Sequence, residues 1–116
     1  MANQRSHKRF AIIGTATLQF ENKGEMKTIQ ATLNTISSVG IGLYADSPIK
    51  INKHVSLEIN LMSEDGIKNH SIEGRVIYNR DLGNTYFIGI QFNEDISSKN
   101  QPLLYEHLQK IINWNK

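Results

Sequence analysis

Two stretches of the chain carry side chains able to hold a phosphorylated ligand. The first is Gln4-Arg5-Ser6-His7-Lys8-Arg9, with two arginines four residues apart. A guanidinium fork donates two parallel hydrogen bonds to O6 and N7 of guanine, and it grips phosphate in the same bidentate way. Four residues of nearly extended chain span about 13 Å, the scale of a dinucleotide. The second stretch is Thr35-Ile36-Ser37-Ser38-Val39-Gly40-Ile41-Gly42-Leu43. Small hydroxyls and backbone N–H groups can hold a phosphate or a base edge, and glycine lets a ligand approach the backbone. Each stretch also has a plainer reading. Taken alone, the arm is more often a solvated basic terminus. Taken alone, the second stretch is more often a bend or β-bulge, with Gly40 supplying an unusual dihedral.

Other chemistries find little support. His7, His54, His70 and His107 show no metal-ligand spacing, and the chain has no cysteine, so neither a thiolate site nor a disulfide framework is expected. The acids are scattered without an acid–base pairing, and Ser37 has no partner that the sequence marks as a base. Gly40 and Gly42 fit neither a P-loop nor a dinucleotide fingerprint. No catalytic residue and no cofactor is expected.

The bulk properties bound the class. With 116 residues, 39% of them hydrophobic and 21% charged, the chain suits one soluble globular domain with its own core. Apolar runs are too short for a membrane span, and the basic N-terminus lacks the apolar segment of a secretory signal. A cytoplasmic location without membrane insertion is the expectation. A net charge of +2 is too small for a general polyanion binder. The positive charge is concentrated in residues 1–9, which read as a flexible basic arm, and residues 10–116 read as one domain.

The elements that would position these residues are mostly strands. Residues 10–20, 26–36, 40–44, 55–61, 72–78 and 86–92 are rich in β-branched and apolar side chains and are separated by polar turns with glycine or asparagine. Val55, Leu57, Ile59 and Leu61 alternate with polar residues most cleanly. After about residue 98 the period changes. Leu104, Leu108, Ile111 and Ile112 fall at helical spacing, which predicts a helix over about 98–114. Six short strands and one amphipathic helix predict an all-β-dominated fold, an antiparallel barrel with a C-terminal helix laid on it.

The combination resembles the PilZ family. Arg5-xxx-Arg9 is similar to that family's RxxxR motif, just before the first strand. Thr35-Ile36-Ser37-Ser38-Val39-Gly40 resembles its (D/N)xSxxG motif. Glu73-Gly74-Arg75-Val76-Ile77-Tyr78 and Tyr86-Phe87-Ile88-Gly89-Ile90-Gln91-Phe92 resemble its last two strands, so the likeness spans nearly the whole chain. The resemblance implies a six-stranded PilZ-type barrel and a non-enzymatic receptor for the second messenger cyclic di-GMP. Arg5 and Arg9 would then contact guanine bases and phosphates. Ser37 and Gly40 would line the barrel side, and Gln4 would help set how the ligand packs. Tyr78 is a candidate aromatic wall, since a planar ring stacks on a base; it reads equally as a half-buried strand aromatic.

One position departs from the pattern. Thr35 stands where the family has Asp or Asn, and Asn34 falls one residue early, which in a regular strand puts it on the opposite face. The alternative is therefore a PilZ-like adaptor that works by protein contact alone and does not bind nucleotide because of Thr35. Either way an effector protein is the expected partner. A nucleic-acid partner is not expected: only 8% of residues are aromatic, and the net positive charge is confined to the arm.

Overall fold

The computed structural model describes residues 8–114. Among these residues the chain forms strands β1 (Phe10–Ala11), β2 (Gly14–Asn22), β3 (Glu25–Ile36), β4 (Gly40–Ala45), β5 (His54–Ser63), β6 (Gly66–Asp81) and β7 (Tyr86–Phe92), then helix α1 (Pro102–Trp114). All strand pairings are antiparallel. The order β3-β2-β5-β6-β7-β4 closes because β4 pairs back onto β3. This is the six-stranded ring expected from the sequence. It removes the open strand edges that would otherwise invite pairing with other chains.

The ring closes around the side chains that strand alternation turns inward. Ala16 and Leu18 of β2, Leu33 and Ile36 of β3, Ile41 and Leu43 of β4, Val55, Leu57, Ile59 and Leu61 of β5, Ile72 and Val76 of β6, and Ile88 and Ile90 of β7 are all buried. Fully burying one aliphatic side chain of this size contributes about 1.5–3 kcal/mol. This interior is the main source of stability.

Three boundaries differ from the sequence reading. Residues 10–20 do not form one strand. Ile12 and Ile13 separate β1 from β2, and Gly14 begins β2 with φ 155° where a Cβ would meet the Asn60 carbonyl oxygen. β1 therefore pairs with β3, whereas β2 pairs with β3 and β5. β6 starts at Gly66 rather than near residue 72, because its first residues ladder with β5 from the Ser63–Gly66 turn onward. Residues Gly66 to Asn69 are exposed, so no apolar alternation marks them. Finally, α1 begins at Pro102. Ser97 and Asn100 close a separate turn ahead of it: the Ser97 N–H donates to Asn100 Oδ1 at 3.0 Å. Proline is compatible with a first helical turn because its missing N–H is an orphan there.

α1 docks through Leu104 and Leu108, which are buried, while Leu103 on its other side is exposed. Beside this contact His107 meets His70 of β6 edge to face, with ring centroids 5.9 Å apart. His70 Nε2 is buried without a hydrogen-bond partner among the described residues. Burial, then the charge of His107, holds the His70 pKa below its usual value. His107 is lowered by burial, then by Lys110 and Lys68. Glu64, Asp65 and Glu106 also line this groove.

A group whose folded pKa is depressed binds protons better in the unfolded chain, so its contribution is full above about pH 6.5 and declines as pH falls below that. The melting temperature is expected to be higher at pH 7.5 than at pH 5.5. His70→Met should flatten that dependence between the two pH values. A pH-independent melting temperature in the parent would contradict the lowered pKa of His70 and His107.

Among the described residues, no helix is long and apolar enough to cross a membrane, and no cluster of His, Asp or Glu is arranged to hold a metal ion.

Candidate functional site

Pairing of β1 with β3 sets the residues that directly follow the first distinctive stretch against the second. Phe10 faces Ile36 and Ala11 faces Thr35, and the Ile12 N–H donates to the Asn34 carbonyl at 3.0 Å. Arg9 directly precedes β1, and Ser37 directly follows β3. The described part of the arm, Lys8 and Arg9, is exposed. Gln4 and Arg5 lie outside the described residues.

The β3–β4 turn is held from several sides. The Ser37 N–H donates to the Gly40 carbonyl at 2.9 Å, and the Val39 N–H donates to the Ser37 hydroxyl at 3.2 Å. Phe92 and Ile96 N–H groups donate to the carbonyls of Val39 and Ser38 at 2.8 and 2.7 Å. Ser37 is only 3% exposed, and its hydroxyl is engaged within the turn. Its place in this structure is that of a residue that shapes the loop. Gly40 has no room for a side chain: a Cβ there would lie 2.5 Å from the Ile90 carbonyl oxygen.

The one-residue offset of Asn34 is altered by the backbone. Leu33 faces Leu43 and Thr35 faces Gly42, so Asn34 and Thr35 together oppose a single step of β4. This is a β-bulge. Leu33 and Ile36 on either side point inward and are buried, while Asn34 and Thr35 are both half-buried. Both polar side chains therefore sit on the outer side of the ring, beside the arm.

Across the outer face, register links four strands in one row. Thr35 faces Gly42, Gly42 faces Gly89, and Gly89 faces Tyr78. The two adjacent glycines are buried, and aromatic side chains cover them: a Cβ on Gly89 would lie 3.1 Å from Tyr78 Cβ. The Phe87 ring packs on Gly42: its Cζ is 2.8 Å from where a Gly42 Cβ would stand, with Thr35 Oγ1 at 3.2 Å from the same point. Phe87 contacts Tyr44 at 5.2 Å and Tyr78 edge to face at 6.0 Å between centroids. A second bulge, between Val76 and Tyr78, brings Tyr78 into this row. Tyr78 is 42% exposed, so one ring surface is available for stacking.

Of the expected site residues, Arg9, Thr35, Ser37, Gly40 and Tyr78 fall on one side of the ring. Phe87, Tyr44, Gly42 and Gly89 complete that surface and were not singled out as site residues from the sequence. The signal available was the glycine pairing, visible only once β4 and β7 are in register. A cavity of about 880 Å³ lies elsewhere, between α1 and the β5–β6 hairpin, and none of the described residues among the expected site residues lines it. The candidate site is taken at Arg9, Thr35 and Tyr78 instead, because in that groove the cations Lys68 and Lys110 are accompanied by the carboxylates of Glu64, Asp65 and Glu106.

Comparisons with known proteins agree on the fold. The inhibitor of motility MotI (DgrA) from Bacillus subtilis is 18% identical with a TM-score of 0.72, covering 99% of this chain and 55% of that one. The PilZ domain of YcgR from Escherichia coli, solved with cyclic di-GMP, is 17% identical with a TM-score of 0.63, covering 95% and 89%. The K. pneumonia MrkH–cyclic di-GMP complex is 18% identical with a TM-score of 0.68, covering 97% and 53%. The chain thus spans about half the length of MotI and MrkH. A search of curated protein sequences gives no match. The PilZ domain family matches residues 3–113, nearly the full length, and the chain belongs to that family.

Proposed function

We propose that this chain is a non-enzymatic receptor for cyclic di-GMP, and that its arm arginines close on the ligand against the outer face of the ring. The observation that carries this reading is the β1–β3 register, in which Phe10, the residue after Arg9, faces Ile36, the residue before Ser37. Support comes from family membership and from the cyclic di-GMP bound to the YcgR domain and to MrkH.

In this reading each group has a task. Arg5 and Arg9 take the guanine O6 and N7 edges and the phosphates. Gln4 helps set how the ligand packs. Ser37 shapes the turn, and Gly40 keeps it thin enough for close approach. Thr35, with Asn34 beside it on the bulge, offers polar groups where the family motif has Asp or Asn. Tyr78 provides a stacking wall. Ligand binding then changes the surface offered to an effector protein.

Fixing each arm residue costs about 1–2 kcal/mol of conformational entropy. Two phosphates and two guanine edges bridging the arm to the ring can offset that cost. Amide hydrogen exchange tests the arrangement. Saturating cyclic di-GMP is expected to protect residues 4–9 and the segment around residues 34–42, with little change in β2 and β5. Unchanged exchange in both segments at saturation would overturn it.

A further inference from the structure

We infer that Arg75 is a third ligand-binding arginine, held ready on the ring itself for a phosphate or guanine edge of the cyclic dinucleotide. This inference rests on the receptor reading above and extends the site beyond the two recognised motifs. Register supplies the first argument. Gly40 faces Gln91, and Gln91 faces Arg75, in one outward row adjacent to that of Thr35, Gly42, Gly89 and Tyr78. Arg75 is exposed and lies two strand spacings, about 10 Å, from Gly40. A ligand spanning about 13 Å and anchored at the Gly40 turn is within reach of its side chain.

The second argument is how the guanidinium is held. Arg75 Nη1 donates to Asn52 Oδ1 at 3.0 Å, and Nη2 donates to Gln91 Oε1 at 3.4 Å. Both acceptors are neutral amides. Among the described residues, no carboxylate pairs with Arg75, and the neighbouring Glu73 is engaged by His54 at 2.9 Å. Arginine has five N–H donors, so these two bonds orient the fork and leave donors and the full positive charge for an anion. The acceptor Asn52 is itself fixed in an unusual conformation. Its φ is +77°, held by its N–H donating to the Val76 carbonyl at 2.7 Å and by the Val76 N–H donating to Lys53 at 2.9 Å. A left-handed residue maintained beside the strand that carries Arg75 acts as a bracket for its side chain.

The test is calorimetric titration of the whole chain with cyclic di-GMP, comparing the parent, Arg75→Gln, Asn52→Gly and Arg9→Ala at several salt concentrations. Arg75→Gln is expected to weaken binding about tenfold or more and to reduce the salt dependence, with the melting temperature unchanged. Asn52→Gly preserves the left-handed backbone and removes only the Oδ1 acceptor, and it should weaken binding by about a fewfold. Parent-like affinity and salt dependence in Arg75→Gln, with Arg9→Ala weakened, would overturn this inference and leave the receptor reading standing. No binding by the parent would overturn both.

Discussion

Arg9→Ala is expected to weaken cyclic di-GMP binding by about ten- to a hundredfold, and Arg5→Ala by a similar factor. Loss of one bidentate arginine contact to guanine costs about 1–3 kcal/mol, and each 1.4 kcal/mol is about tenfold in affinity. Arg9 is exposed and precedes β1, so its removal opens no cavity in the ring. The melting temperature of the free protein should therefore hold within about 3 °C, since surface substitutions away from special features change stability little. A combined loss of stability and affinity would mean that Arg9 supports the fold. Parent-like affinity in both variants would remove the arm from the site.

Gly40→Ala is expected to have the second largest effect, and on stability as well as binding. The added Cβ would lie 2.5 Å from the Ile90 carbonyl oxygen, a backbone atom that cannot swing aside. β4 and β7 must separate locally, at the place where Gly40 faces Gln91 and where the turn is fastened to Phe92 and Ile96. Forced overpacking of this kind costs about 1–3 kcal/mol, which lowers the melting temperature by about 5–15 °C. The displaced turn should also weaken binding more than the change in stability alone explains. Gly24→Asn is the matched control. A Cβ at Gly24 meets nothing within 4 Å, and its φ of +83° is one that asparagine tolerates. That variant should melt within about 2 °C of the parent. A Gly40→Ala protein with parent melting and affinity would show that the close strand approach is dispensable.

How far the fold was legible depends on whether a feature belongs to one strand or to two. β5 was plain because Val55, Leu57, Ile59 and Leu61 all face the core, and α1 was plain because Leu104 and Leu108 anchor it. The first residues of β6 were not, because the hairpin end buries neither face there. The break at Ile12–Ile13 was hidden by the apolar, β-branched composition on both sides of it. The bulges at Asn34 and before Tyr78 are mismatches of register between partners, and no single strand carries their signature.

The proposed site shows the same division. Arg9, Thr35 and Gly40 were identifiable by residue type and spacing, whereas the burial of Ser37 depends on the turn it closes. The offset of Asn34 counted against the motif under strict alternation, and the bulge suspends that alternation at this point. Arg75 stood out only as part of the Glu73–Tyr78 strand, and the role proposed for it rests on the neutral groups that hold it.

The central claim is specific recognition of cyclic di-GMP, and calorimetric titration of the parent protein with cyclic di-GMP, cyclic di-AMP and GTP tests it most directly. The arginine contacts proposed here read guanine O6 and N7, whereas adenine presents a donor in place of O6, and GTP lacks the second base and the bridged ring. The account predicts saturable binding of cyclic di-GMP, with cyclic di-AMP and GTP weaker by at least about a hundredfold. No binding of cyclic di-GMP, or equal affinity for cyclic di-AMP, would contradict it.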